Sequence, residues 1–139
     1  MSEKPVVVYA DGSCRGNPGP GGWGVLIIHP DGKEIELSGS VLRTTNNRME
    51  LMAAIKALKQ IAVGSEVVLR SDSQWLINTM NRGWKRNFHH DLWLELDAET
   101  RARKVTYEWV RGHAGDPFNQ RADELAQAAA KKAQRAALT

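Results

Sequence analysis

The sequence holds a single cysteine, Cys14, so no disulfide can form within the chain, and a cytoplasmic setting is expected. Long apolar runs are missing. Stretches such as Val25-Leu26-Ile27-Ile28 are far too short to cross a bilayer, so no membrane partner is expected. Met1-Ser2-Glu3-Lys4-Pro5 lacks the apolar segment of a signal peptide. No repeat or low-complexity linker interrupts the 139 residues. That length favours one domain, residues 1–139, with its core over residues 5–130. There is no GxxxxGK(S/T) loop, no CxxC pair and no HExxH. Their absence argues against a P-loop nucleotidase and against zinc hydrolysis.

What is present is a hydrophobic content of 42%, enough for a packed core, and a net charge of +3 with a pI of about 9.2. The balance is only mildly basic, but its distribution is uneven. From Arg82 to His90 there is no acid, and Arg82, Lys85 and Arg86 alternate with Trp84, Phe88 and two histidines. Aromatics interleaved with cations suit a nucleic-acid backbone groove. A solvated basic loop is the other reading.

The first apolar run, Val6 to Ala10, leads straight into Asp11 and reads as a central strand ending on a carboxylate. Gly16 to Gly22 is a dense turn signal, followed by strands over Trp23–His29 and Lys33–Leu42, an antiparallel meander. The period then becomes helical from Asn47, with Leu51, Ile55, Leu58 and Ala62 on one stripe, Asn46 or Asn47 as N-cap and Gly64 as terminator. Glu66–Ser71 forms a fourth strand, parallel to the first, again stopping on an acid, Asp72. Helices over 73–81 and 91–103 flank a basic loop, a fifth strand spans Val105–Val110, and a long Ala-rich helix begins at Asp116-Pro117 and runs to about Ala136.

Four acids stand out. Asp11 and Asp72 end strands at one rim of the sheet, where open α/β sheets bind ligands; a turn role for Asp11 and a helix cap for Asp72 are the alternatives. Glu50 shares an inward stripe with Ala54, Ala57 and Ile61, although Asn47-x-x-Glu50 also fits a capping box. Asp123 sits inside the last helix, where Asp has poor propensity, on a face with Ala126, Gln127 and Ala130. His113, within Gly112-His113-Ala114-Gly115, is either a surface loop histidine or a mobile proton shuttle. Acids brought together from four segments suit hard cations such as Mg²⁺, which prefer oxygen ligands, and a pair of such ions can serve phosphoryl displacement.

The motifs then become specific. Tyr9-Ala10-Asp11-Gly12-Ser13-Cys14-Arg15-Gly16-Asn17-Pro18-Gly19-Pro20-Gly21-Gly22, Arg43-Thr44-Thr45-Asn46-Asn47-Arg48-Met49-Glu50-Leu51, Ser71-Asp72-Ser73-Gln74, Trp109-Val110-Arg111-Gly112-His113-Ala114-Gly115 and Asn119 to Leu125 occur in this order. From Val6 to Ala130 the chain resembles type 1 ribonuclease H. The resemblance implies the α/β ribonuclease H-like fold, a five-stranded mixed sheet of order 3-2-1-4-5 with helices on both faces. It implies endonucleolytic hydrolysis of the RNA strand of RNA/DNA hybrids with two Mg²⁺ ions, Mn²⁺ substituting, to give 5′-phosphate and 3′-hydroxyl ends. A DNA nuclease of the same fold and a non-catalytic hybrid-binding module are the alternatives.

Carried over position by position, Asp11, Glu50, Asp72 and Asp123 hold metal, and His113 assists proton transfer or product release. Asn17, Asn46, Asn47 and Gln74, with the backbone at Gly12 and Cys14, lie along the RNA minor groove, where amides can read a 2′-hydroxyl. Thr45 helps hold a DNA phosphate. Trp84 and Trp93 match tryptophans near the DNA strand, with Lys85 and Arg86 beside Trp84. Many bacterial members carry a longer basic protrusion where this chain has only Asn81-Arg82-Gly83-Trp84-Lys85-Arg86. Fewer cations mean weaker and less salt-sensitive binding, for which the basic end of the last helix is one candidate compensation. A monomer is expected by default.

Overall fold

Val6–Cys14 (β1), Gly19–Ile28 (β2) and Glu34–Thr44 (β3) form the antiparallel meander expected from their turn signals, and β4 (Glu66–Ser71) and β5 (Lys104–Trp109) add to β1 in parallel. The sheet order is β3-β2-β1-β4-β5. These elements belong to a computed structural model that describes residues 4–112 and 115–138. The helices are α1 (Asn46–Lys59), α2 (Gln74–Arg82), α3 (His90–Arg101) and α4 (Pro117–Ala137). Alternation along β1 sorts the two layers. Val8 and Ala10 join Val25 and Ile27 under α1, whereas Tyr9 packs with Leu26 and Ala122 of α4. The larger core lies on the α1 side and closes over Leu51, Leu58, Leu69, Leu76, Trp93 and Leu96. Among the described residues, no helix is long and apolar enough to cross a membrane.

Several boundaries differ from the sequence reading. Asp11 does not end its strand. β4 accompanies β1 only from Val6 to Tyr9, but β2 stays paired with β1 as far as Cys14, opposite Gly21. The result is a cleft that opens between β1 and β4 just where Asp11 lies on one side and Asp72, immediately after Ser71, on the other. Gly19 to Gly22, which reads as turn, is strand. Gly22 and Gly24 lie under α4, where an added Cβ would fall well inside 3.0 Å of helix backbone atoms at Ala122, Ala126 and Ala130. Their glycines serve close helix approach rather than a turn.

The cap of α1 is Thr45, whose hydroxyl accepts from the Arg48 N–H at 3.3 Å, rather than Asn46 or Asn47. The helix stops at Lys59, so Ala62 falls outside it, and Gly64, with φ +89°, belongs to the connection beyond. Asp116 caps α4 as expected, accepting from the N–H groups of Phe118 and Asn119.

Candidate active site

The site is assembled where four elements meet at the cleft between β1 and β4. β1 delivers Asp11, the second turn of α1 delivers Glu50, the end of β4 delivers Asp72, and the second turn of α4 brings Asp123 alongside Asp11. Carboxylate oxygens of Asp11, Glu50 and Asp72 lie within 4.8 Å of one another, and Asp11 and Glu50 are each only 4% exposed. The alternative structural roles fail for three of these acids. Asp11 is mid-strand and not in a turn. With Thr45 as cap of α1, Glu50 lies too far along the helix to close a capping box. The cap of α2 is Ser73, whose hydroxyl accepts from Leu76 N–H at 3.1 Å, so Asp72 is not the cap.

Gly12 makes the approach possible. Any Cβ there would lie 2.6 Å from the Glu50 nitrogen and 2.8 Å from Glu50 Oε1. α1 therefore enters the rim directly against β1.

Electrostatically the cluster is far from neutral balance. Two carboxylates at this separation repel by about 3 kcal/mol even at an effective dielectric of ~20. Burial, followed by the neighbouring charges of Glu50 and Asp72 and a hydrogen bond with Asp123, pushes the Asp11 carboxyl far above the usual range. Glu50 is raised by burial and by Asp72, with smaller opposing contributions from Asp11, the Gly12 backbone and Ser73. Glu50 Oε1 is buried and has no hydrogen-bond partner among the described residues. An all-oxygen set that holds a buried acceptor without a donor fits a hard divalent cation, which would supply the missing positive charge. Asp123 Oδ2 accepts from Gln127 at 3.0 Å, and its carboxyl stands at the Asp11 edge of the three-acid cluster.

The predicted nucleic-acid contacts line the same rim. Asn17, Asn46, Asn47 and Gln74 are all exposed. Asn17 Oδ1 accepts from the Asn46 N–H at 2.9 Å, which ties the loop after β1 to the start of α1. Cys14 Sγ faces the carbonyls of Gly16, Thr44 and Gly19, so its side chain closes the loop, while its backbone lies in β1 opposite Gly21. The Thr45 hydroxyl accepts at the cap of α1 and keeps its own proton to donate. His113 lies outside the described residues.

On the far side, Trp84 is 46% exposed and Lys85 is open to solvent, but Arg86 is committed internally. Arg86 donates to both oxygens of Asp97 (2.5 and 3.1 Å) and stacks 4.4 Å from the Trp93 ring centroid, and Trp93 is a core residue at 2% exposure. Arg86→Ala is therefore expected to cost roughly 1–3 kcal/mol of stability, as the loss of a partly buried ion pair and a cation–π contact. Lys85→Ala should instead raise the Michaelis constant for a nucleic-acid substrate with the melting temperature nearly constant. Melting curves and saturation kinetics of both variants check this; an Arg86→Ala protein as stable as the parent would contradict it.

Two supporting residues escape a reading by motif chemistry. Trp109 Nε1 donates to the Asp72 carbonyl at 3.2 Å, and a Cβ on Gly112 would lie 3.0 Å from Asp72 Oδ2, so β5 and the turn after it hold the Asp72 rim. Phe88, named with the basic stretch, is 72% exposed on the connection between α2 and α3. Trp109 and Gly112 lie inside a quoted motif, but only the fold shows what they touch.

Comparison with known proteins agrees with this geometry. The RNase H family profile matches residues 3–131. A ribonuclease H of Pseudomonas entomophila is 52% identical over 134 aligned positions, covering 87% of this chain and 90% of its own. One from Hahella chejuensis is 46% identical over 144 positions, covering 94% and 96%. Among solved structures, the N-terminal RNase H domain of a Mycobacterium tuberculosis protein superposes with a TM-score of 0.82 at 32% identity, covering 96% of this chain and 98% of that one. LC11-RNase H1, solved in complex with an RNA/DNA hybrid, gives a TM-score of 0.80 at 30% identity, covering 93% and 99%. With this fold, this acid cluster and these relatives, the chain belongs to the type 1 ribonuclease H family, enzymes that cleave the RNA strand of RNA/DNA hybrids.

Proposed function

We propose that hydrolysis takes place at Asp11, Glu50, Asp72 and Asp123, with Mg²⁺ as the resident ion and Mn²⁺ as a substitute, leaving 5′-phosphate and 3′-hydroxyl ends. The observation that carries this is the buried, donorless Glu50 oxygen beside Asp11 and Asp72. When bound, a pair of divalent cations would supply Lewis acidity and charge neutralisation at the scissile phosphate. The chain's own residues do the rest. The four acids would hold the ions, Gly12 admits Glu50, and Trp109 holds the Asp72 carbonyl. His113 is the proton carrier, an imidazole being able to give and take a proton near neutrality.

Substrate choice rests on the exposed amides. Asn17, Asn46, Asn47 and Gln74, with the backbone of Gly12 and Cys14, would face the RNA minor groove and read its 2′-hydroxyls. Thr45 would take a DNA phosphate, and Trp84 and Lys85 the DNA strand beyond it, with Arg86 supporting that loop from below. The short connection over residues 83–89 offers few cations for the duplex flank, so this side binds weakly. The working unit is one copy of the chain.

The test is cleavage of four labelled substrates, namely hybrid, duplex RNA, single-stranded RNA and duplex DNA, each with Mg²⁺, Mn²⁺ or chelator. Cleavage confined to the RNA strand of the hybrid and abolished by chelator is the expected result. Duplex DNA cut as fast as hybrid would favour a DNA nuclease of this fold, and hybrid binding with no metal-stimulated turnover a binding module.

A further inference from the structure

We propose that the last turns of α4 form a second nucleic-acid contact surface, carried by Lys131, Lys132 and Arg135, that grips backbone phosphates of the hybrid beyond the loop over residues 14–18. The proposal rests on the hybrid being the substrate. Its first support is the direction of α4. Gly24 packs against Ala122 and Ala126, and Gly22 against Ala126, Ala129 and Ala130, so advancing along α4 means moving back along β2 toward Gly19. Cys14 pairs with Gly21, which makes this the rim that carries the 14–18 loop. Each residue of α4 past Ala130 adds about 1.5 Å in that direction. Ser40 Oγ donates to the Ala129 carbonyl at 2.7 Å and fixes the helix across β3 at the same level.

The second support is the charge at this corner. The stretches brought together there, residues 13–23, 38–45 and 125–138, contain no Asp or Glu. Together they carry Arg15, Arg43, Lys131, Lys132 and Arg135. None of these five enters an ion pair among the described residues. Lys131, Lys132 and Arg135 are exposed, and Arg15 has a buried Nε with no partner among the described residues. For a chain of net charge +3, this is a strong local excess of one sign. Positive helix C-termini also complement the macrodipole, but that effect needs neither the acid-free neighbours nor the alignment with the substrate rim. A polyanion running along the rim past Asn17 meets this corner next.

The test uses a Lys131→Gln/Lys132→Gln/Arg135→Gln variant, Gln being close to Lys and Arg in helix propensity. It is compared with the parent on hybrids that share one cut site and are extended from it in opposite directions. Binding is followed by anisotropy in chelator over a range of salt, and cleavage separately in Mg²⁺. For the extension that passes the α4 corner, affinity should fall about tenfold or more at low salt. The slope of log affinity against log salt should shrink by about 2–3, close to one counterion per lost phosphate contact. The opposite extension should change far less. Equal losses on both extensions, or an unchanged slope with a lowered melting temperature, would overturn the proposal in favour of general electrostatics or a purely macrodipole role. If no hybrid is cleaved yet its binding depends on the three cations on one side only, the ribonuclease reading fails and the surface stands.

Discussion

Asp11→Asn is expected to abolish turnover and, in the presence of chelator, to raise the melting temperature. The two effects share one cause. Asp11 is buried among acids, and its carboxyl is pushed far above the ordinary 3.8 by burial and by Glu50 and Asp72. A carboxyl whose folded pKa exceeds its unfolded value favours the fold most below pH 3.8, and that contribution is lost as pH climbs toward the raised folded value. Near neutrality without metal, the native protein must keep a buried proton or tolerate a buried charge, and it loses stability either way. An amide of the same shape removes that demand, a gain of roughly 1–3 kcal/mol, or about 3–10 °C.

Saturating Mg²⁺ should reverse the ranking, because ligand at a hundredfold excess over its Kd stabilises by about 2.7 kcal/mol and the variant has lost a ligand. Turnover should drop by roughly 10³-fold or more, about 4 kcal/mol of transition-state stabilisation. Calorimetry from pH 5 to 8, with and without Mg²⁺, alongside single-turnover cleavage, reads all three effects. An Asp11→Asn enzyme that still turns over, or that melts below the parent in chelator throughout, would remove Asp11 from the metal site.

Gly24→Ala should strongly destabilise the fold through a single added methyl group. Its Cβ would fall well inside 3.0 Å of the Ala122 carbonyl, the Ala126 nitrogen and the Leu125 Cβ. These are mostly backbone atoms of a helix packed across β1, β2 and β3, and they have no side-chain freedom with which to yield. Overpacking of this kind costs about 2–4 kcal/mol, some 6–15 °C in melting temperature for a domain of this size. Because α4 would be lifted from the sheet next to Asp123, turnover should fall more than the Michaelis constant rises. Gly32→Ala is the useful contrast. Gly32 has φ +92°, so Ala pays left-handed strain, but nothing lies within 4 Å of the added carbon and the site is remote. It should lose about 1 kcal/mol and keep full turnover. Similar losses in the two variants would mean that helix approach is not what Gly24 provides.

These contacts mark where sequence reasoning reaches and where it stops. The inward aim of Glu50 is legible because Ala54 and Ala57 share its helical stripe, and both are buried; Ile61, read on the same stripe, is buried too but lies beyond the end of α1. The meander and the parallel addition of β4 followed from turn residues and a change of period. The run from Gly19 to Gly22 misleads, since a glycine needed for close packing looks the same in a sequence as one needed for a turn. Strand length at Asp11 is decided by which neighbour persists, β2 or β4, and that is a tertiary matter. Arg86 reads as a free cation until Asp97, on the next helix, is brought beside it. Trp93 resembles a substrate contact by position, but its burial makes it core.

The placement of Asp123 has a consequence for the life of the protein before folding is complete. Asp11, Glu50 and Asp72 are synthesised early, whereas Asp123 lies on the final helix, which also covers β1, β2 and β3. A chain still being translated can pair its first strands but cannot close the cleft with its fourth acid until α4 has left the ribosome. With α4 also packed on β1, β2 and β3, a fragment that stops short of Asp123 is expected to lack both this acid and one layer of its fold, and so to leave an RNA/DNA hybrid uncut.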